Sequence, residues 1–231
     1  MKHPLDSAPV LIHALTGSQA HGTATEFSDV DITRVTSFRT EQLAGLSPVP
    51  VAEHQRQTIK GILDVTDIDV ATFLRHVVKG SARHFEVLYS PLAAPRCETG
   101  AMILTARPLL VTQSAVRHAY RGYIASLAAK VVDPGPNVTK ELAVLHRLLA
   151  QATELWTTGD LDLRIADPGG VEDFVASFTG GDTEPLADLM NEASDMFAGL
   201  SPLSSDTAAA RGLAADLVMA ARAGADQKAP S

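Results

Sequence analysis

Asp29 and Asp31 stand two residues apart, so on a strand their carboxylates leave the backbone on the same side. Side by side they repel unless a cation lies between them, and an all-oxygen ligand set suits Mg²⁺ or Mn²⁺. Ten residues separate this pair from Gly17-Ser18. Glycine lets backbone N–H groups and the Ser18 hydroxyl come close to phosphate oxygens, because no Cβ intervenes. Metal ligands beside a phosphate-holding turn fit a displacement at phosphorus. The donor that chemistry implies is a nucleoside triphosphate such as ATP. A third carboxylate from a neighbouring strand would complete the cluster, with Asp64, Asp67 and Asp69 as candidates. It would share a metal ion or accept the proton of an attacking hydroxyl.

Other residues carry two readings each. Ser18 caps a helix or holds phosphate, and both roles use the same free N–H groups. His21 reads as a polar turn residue before it reads as a catalyst. Lys140 and Arg147 lie seven apart on a predicted helix, on nearly one face, and either reach a triphosphate or meet solvent. Arg75, Lys79 and Arg83 follow a helix and turn, and either bind an acceptor strand or face water. His146 reads as a buried histidine and Cys97 as an inert thiol, and no zinc-type Cys/His spacing is present.

The elements that must position these groups follow from periodicity. Val10–Leu15 is an apolar run, a helix end or a buried strand, that stops at Thr16-Gly17-Ser18. Val30–Val35 alternates as a strand does, and Ile62–Ile68 is a second, β-branched strand. From about Asp69 a helix is expected, with Val70, Phe73, Leu74, Val77 and Val78 on its apolar face. Residues 40–60 contain Pro48 and Pro50 and read as a loop or flap, and Phe85–Tyr89 leads towards Ser90-Pro91. Beyond residue 99 alanine and leucine dominate. Helices are predicted over 100–109, 114–131, 139–157 and 207–223, with Thr139 as an N-cap, a break at Asp133–Asn137, and fraying over 226–231. The expected fold is α+β, a mixed sheet with helices over residues 1–98 followed by a helical domain over 99–231.

The 231-residue chain is 45% hydrophobic, which sets it with globular proteins, and it has no apolar run long enough for a membrane helix. Its N-terminus lacks a signal-peptide core and Cys97 is its single cysteine, which together point to the cytoplasm. The net charge of −8 argues against a protein that coats duplex nucleic acid, since phosphate neutralisation dominates that affinity. A nucleic-acid partner would have to be held locally, at a strand end.

Gly17-Ser18 with Asp29-x-Asp31 resembles the signature of the polymerase-beta-like nucleotidyltransferase superfamily, which includes poly(A) polymerases, CCA-adding enzymes, kanamycin nucleotidyltransferases and MNT-type antitoxins. The fuller string, with His21-Gly22-Thr23 and Ser28, is similar to one branch, the RNA-repair-pathway (RlaP-like) family. Asp64-Val65-Thr66, Phe73-Leu74, Lys79-Gly80, Glu86–Pro91, Leu145–Leu149 and Thr158–Leu161 extend the likeness over about residues 10–180. It departs at Ser81-Ala82-Arg83-His84, where the family commonly has Asn-Pro.

The resemblance implies an enzyme that transfers NMP from an NTP to an acceptor hydroxyl and releases pyrophosphate. Asp29 and Asp31, with Asp64 favoured as the third, would be catalytic and metal-binding; Gly17 and Ser18, joined by Lys140 and Arg147, would bind the nucleotide. The cofactor would be Mg²⁺ or Mn²⁺. The family points to an RNA or tRNA end as acceptor, and the acidic charge to a protein or small molecule. A non-catalytic, antitoxin-like binding protein would keep the same fold.

Overall fold

The computed structural model describes residues 8–44, 54–59, 61–132, 138–165, 168–178 and 184–227. The break expected at Asp133–Asn137, residues 45–53 and 60 of the expected flap, and 228–231 of the tail lie outside that set.

Five strands form one mixed sheet in the order β3-β4-β2-β1-β5. They are β1 (Val10–Thr16), β2 (Val30–Thr36), β3 (His54–Ile59), β4 (Leu63–Asp69) and the short β5 (Ala93–Pro95). The ambiguous run before Gly17 is therefore a strand, with Leu11, Ile12 and Ala14 in the core. β1 runs antiparallel to β2 and β5, and β3 antiparallel to β4. The central pair, β2 and β4, is parallel and in simple register: Asp31 faces Asp64, Thr33 faces Thr66 and Arg34 faces Asp67. A parallel pair needs a crossover. Here it passes through α2 (Thr40–Ala44) and β3, so the expected flap contains a helix and a strand.

Gly17–His21 forms the one-and-a-half-turn α1, directly off the end of β1. α3 (Val70–Lys79) starts where β4 stops. The Asp69 carboxylate accepts the Ala71 N–H at 2.9 Å and caps the helix. Phe73, Leu74 and Val77 are fully buried, at the spacing that the sequence shows. After Gly80 comes α4 (Ala82–Tyr89). Gly80 has φ 100°, and a Cβ there would lie 2.0 Å from the Ala115 carbonyl oxygen, so only glycine permits this turn against the next helix layer.

The remainder is helical, as expected: α5 (Glu98–Thr105), α6 (Arg107–Leu110), α7 (Gln113–Val132), α8 (Val138–Thr158), α9 (Pro168–Ser177), α10 (Glu184–Ala198) and α11 (Thr207–Asp226). Two local differences have physical causes. The helix expected over 100–109 is two, because Pro108 enters the first turn of α6. Thr139 lies inside α8 rather than capping it, since the helix already starts at Val138. The buried stripe of α8 centres on Leu145, Leu148, Ala152 and Leu155, with Leu149 at its margin. One continuous apolar core runs from Leu11 of β1 to Ala221 of α11. The last helix returns to the sheet half: Arg222 of α11 donates two short bonds to the Asp69 carboxylate, at 2.6 and 2.7 Å, and Thr40 donates to Asp226. None of the described helices is long and apolar enough to cross a membrane.

Candidate functional site

The parallel register of β2 and β4 brings Asp31 and Asp64 opposite each other, and Asp29 lies just before β2. Oxygens of Asp29, Asp31 and Asp64 all lie within 4.8 Å of one another. At an effective dielectric of about 20, each ionised pair at that spacing repels by roughly 3 kcal/mol. Burial raises the Asp31 pKa above the ordinary carboxylate value, and the neighbouring Asp29 and Asp64 raise it further; Arg83 opposes them and Glu86 adds to them. Asp64 Oδ1 is buried without a hydrogen-bond partner. As carboxylates these groups are acceptors only, an all-oxygen set of the kind that can hold a hard divalent cation.

Gly17 closes one side of the cluster. It has φ 62°, and a Cβ there would come within 2.3 Å of Asp31 Oδ2. The glycine is thus required twice, for its left-handed backbone and for the space that the carboxylate takes. Ser18 follows it in the first turn of α1, half-buried, beside the free N–H groups of the helix start.

The other two aspartates of β4 point elsewhere. Alternation along the strand puts Asp67 and Asp69 on the opposite side from Asp64. Asp67 is fully buried and accepts Arg34 Nε at 2.5 Å and Nη2 at 2.7 Å. Asp69 is fully buried too, caps α3 and takes Arg222. Of the three candidates, only Asp64 joins the cluster.

His21 is buried: its Nδ1 donates to the Leu163 carbonyl at 3.0 Å, while Nε2 lies 3.3 Å from Glu86 Oε1 without hydrogen-bond alignment. The Ile165 N–H donates to the His21 carbonyl, so the end of α1 is tied twice to the segment after α8. Arg147 Nη2 lies 3.8 Å from the same Glu86 oxygen. Lys140 and Arg147 share with Thr23 the wall of a pocket of about 310 Å³, which also takes in Val144, Ile165 and Glu172. The two cations of α8 therefore lie beside the loop that follows α1. Glu86 joins His21 to Arg147 and had no role assigned from sequence; its only signal there was its place in the Glu86–Pro91 string.

Of the three basic residues on the helix and turn, Arg75 and Lys79 are exposed on α3. Arg83 donates to Thr66 Oγ1 at 3.2 Å and acts on Asp31. His146 lies against the Phe174 ring rather than in the core, 4.9 Å between centroids. His84 stacks on His76 at 4.6 Å and meets Ser81 Oγ at 2.8 Å. Burial, with His76 and Arg83 nearby, drives the His84 pKa down to about 3. Half-buried Cys97 precedes α5 as its N-cap residue.

Residues 3–165 match the family model described as RlaP, RNA repair pathway DNA polymerase beta family. No curated protein matches the chain.

Proposed function

The chain belongs to the RNA repair pathway DNA polymerase beta family, and from that premise we propose that it is a divalent-metal-dependent nucleotidyltransferase. The observation that carries the reading is the Asp29, Asp31 and Asp64 cluster against Gly17. The three carboxylates would hold Mg²⁺ or Mn²⁺, and the orphaned Asp64 Oδ1 fits that demand. When bound, the ion would neutralise triphosphate charge and polarise the reacting phosphoryl group.

The chain's own residues supply the rest. Ser18 and the N–H groups after Gly17 hold the β- and γ-phosphates; Lys140 and Arg147 reach the nucleotide from α8. An acceptor hydroxyl attacks the α-phosphorus, its proton passes to the Asp64 carboxylate, the bond to the bridging oxygen breaks and pyrophosphate leaves. Catalysis rests on positioning and charge compensation, with no covalent enzyme intermediate. In this reading residues 1–98 carry the chemistry and 99–231 supply the second wall of the nucleotide cleft, in a cytoplasmic protein. An RNA end is the acceptor that the family description favours.

The double variant Asp29→Asn with Asp31→Asn tests the mechanism. Purified protein is incubated with total RNA, Mg²⁺ and each α-labelled NTP in turn. Label should enter RNA with the native chain and fall to background with the variant; undiminished transfer by the variant would falsify the mechanism. An antitoxin-like binding protein would instead give no transfer with the native chain.

A further inference from the structure

Gln151 is the one carboxamide in the buried set of α8, which is otherwise Leu142, Leu145, Leu148, Ala152, Leu155 and Trp156. It is 3% exposed, and neither its Nε2 nor its Oε1 has a hydrogen-bond partner. One turn earlier on the same helix, Arg147 Nε is buried and unpartnered as well. Buried polar groups are almost always paired, so three orphaned atoms on neighbouring turns need a cause. A methionine would fill much the same space without leaving an amide unpaired. Arg147 and Gln151 also line one cavity of about 240 Å³, together with Glu154 of the next turn and Asp162, Leu163 and Arg164 of the segment after α8. That cavity adjoins the pocket beside Thr23, since Arg147 and Ile165 line both. The Leu163 carbonyl accepts from His21 Nδ1, which ties this wall to α1, the helix that begins at Gly17.

We propose that this cavity is the base subsite of the donor nucleotide and that Gln151 selects adenine. The inference rests on the nucleotidyl-transfer reading and names its donor. The two adjoining pockets differ in charge. Beside Thr23, Lys140 and Arg147 outnumber Glu172, a balance suited to phosphate. In the Gln151 cavity Arg147 and Arg164 are matched by Glu154 and Asp162, a balance suited to a polar ligand without net charge. A carboxamide offers an acceptor and a donor side by side. Adenine offers the complement, an amino group beside a ring nitrogen, and glutamine pairs with it in bidentate fashion. Oε1 accepts from the 6-amino group and Nε2 donates to the adjoining ring nitrogen, so both orphaned ends of Gln151 gain a partner. The carboxylates of Glu154 and Asp162 favour an amino group in this cavity over the carbonyl that guanine and uracil present.

The probes are MgATP, MgGTP, MgCTP and MgUTP, each titrated into the full chain by calorimetry without RNA. ATP should bind at least about 5-fold more tightly than the other three. Purine riboside triphosphate, which lacks the 6-amino group, should lose that advantage. In Gln151→Met the advantage of ATP over purine riboside triphosphate should vanish, while magnesium tripolyphosphate binds native and variant chains alike. Without ligand the variant should melt no lower than the native chain, since it gives up an unpaired amide. Nucleotide binding with no preference for ATP, or a preference that Gln151→Met leaves intact, overturns the proposal and leaves the transfer reading standing. So does a loss of tripolyphosphate binding in the variant as large as its loss of ATP binding, because Gln151 would then serve the phosphates or the fold. Tighter Gln151-dependent binding of an adenosine-ended oligoribonucleotide than of ATP overturns it too, because the subsite would then hold the acceptor. A native chain that binds none of the four nucleotides overturns both readings. One that prefers ATP through Gln151 but transfers no label sinks the enzymatic reading and leaves the adenine subsite standing.

Discussion

The two ends of strand β4 treat the same residue type in opposite ways. At its start, Asp64 joins Asp29 and Asp31 in a cluster where carboxylates face carboxylates and one oxygen has no partner. Towards its end, Asp67 and Asp69 are buried completely and each is gripped by a guanidinium, from Arg34 and Arg222. Closed charges of the second kind hold the fold together: Arg222 ties α11 to the start of α3 and also donates to Ser37 and Phe38. Open charges of the first kind work against the fold, which is the pattern expected of the proposed metal site. The contrast separates charge-paired from unpaired aspartates on one strand without reference to any relative.

The closed end should break hardest. Asp69→Asn leaves Arg222 buried without its counter-charge, at a cost of about 3–5 kcal/mol, read as a lower midpoint in urea unfolding at neutral pH. The double change Asp69→Asn with Arg222→Met should recover much of that loss. The open end should respond the other way round. Asp64→Asn removes a repelling charge, so the metal-free protein should melt no lower than native, while nucleotide transfer falls by about 10²-fold or more, the scale for losing one transition-state electrostatic group. Addition of Mg²⁺ should raise the melting temperature of the native chain and do so less in the variant. An Asp64→Asn protein that is strongly destabilised, or an Asp69→Asn protein that keeps native stability, would erase the distinction.

Much of this contrast was legible before any coordinates. Gly17-Ser18 and Asp29-x-Asp31 point to the proposed chemistry because residue type and spacing are themselves the signal, and the two strands show their alternation. The choice among Asp64, Asp67 and Asp69 was narrowed by resemblance alone. Parity on β4 separates Asp64 from the other two, but which side faces Asp31 depends on the β2–β4 register, a long-range pairing that no local pattern encodes. Arg222 lay beyond reach for the same reason, 153 residues from its partner. β3 and α2 were missed because residues 40–60 carry Pro48 and Pro50 and weak periodicity, and tertiary pairing with β4 overrides that local signal. His21 reads from sequence as a polar turn residue; its burial against Leu163 and Glu86 requires the helical half to be in place.

Gly17→Ala probes how tightly the open cluster is framed. An alanine pays a left-handed backbone penalty of about 1–2 kcal/mol, and its Cβ must displace Asp31 Oδ2 from 2.3 Å. Thermal melting should report a modest loss of stability. Transfer activity should fall further than that loss explains, because the carboxylate has to move. If stability falls and the activity of the folded fraction does not, the glycine serves the turn alone and the cluster tolerates displacement.

The smallest effect concerns the start of α4, which carries Arg83. His84 beside it is buried, stacked on His76, and its pKa is held at about 3 against an ordinary 6.5. As pH falls below 6.5 the unfolded chain takes up a proton that the folded chain refuses. Stability from a neutral His84 is therefore full above that pH and drains away down to about 3. Between pH 7 and pH 5.5 the linkage amounts to about 1 kcal/mol, to be read from urea midpoints of the native chain and of His84→Gln, whose glutamine cannot titrate. The native midpoint should drop more than the variant's over that interval. Equal drops would place the proton uptake elsewhere than at His84, whose burial at the start of α4 would then not resist protonation as the two Asp–Arg pairs of β4 resist loss of their charge.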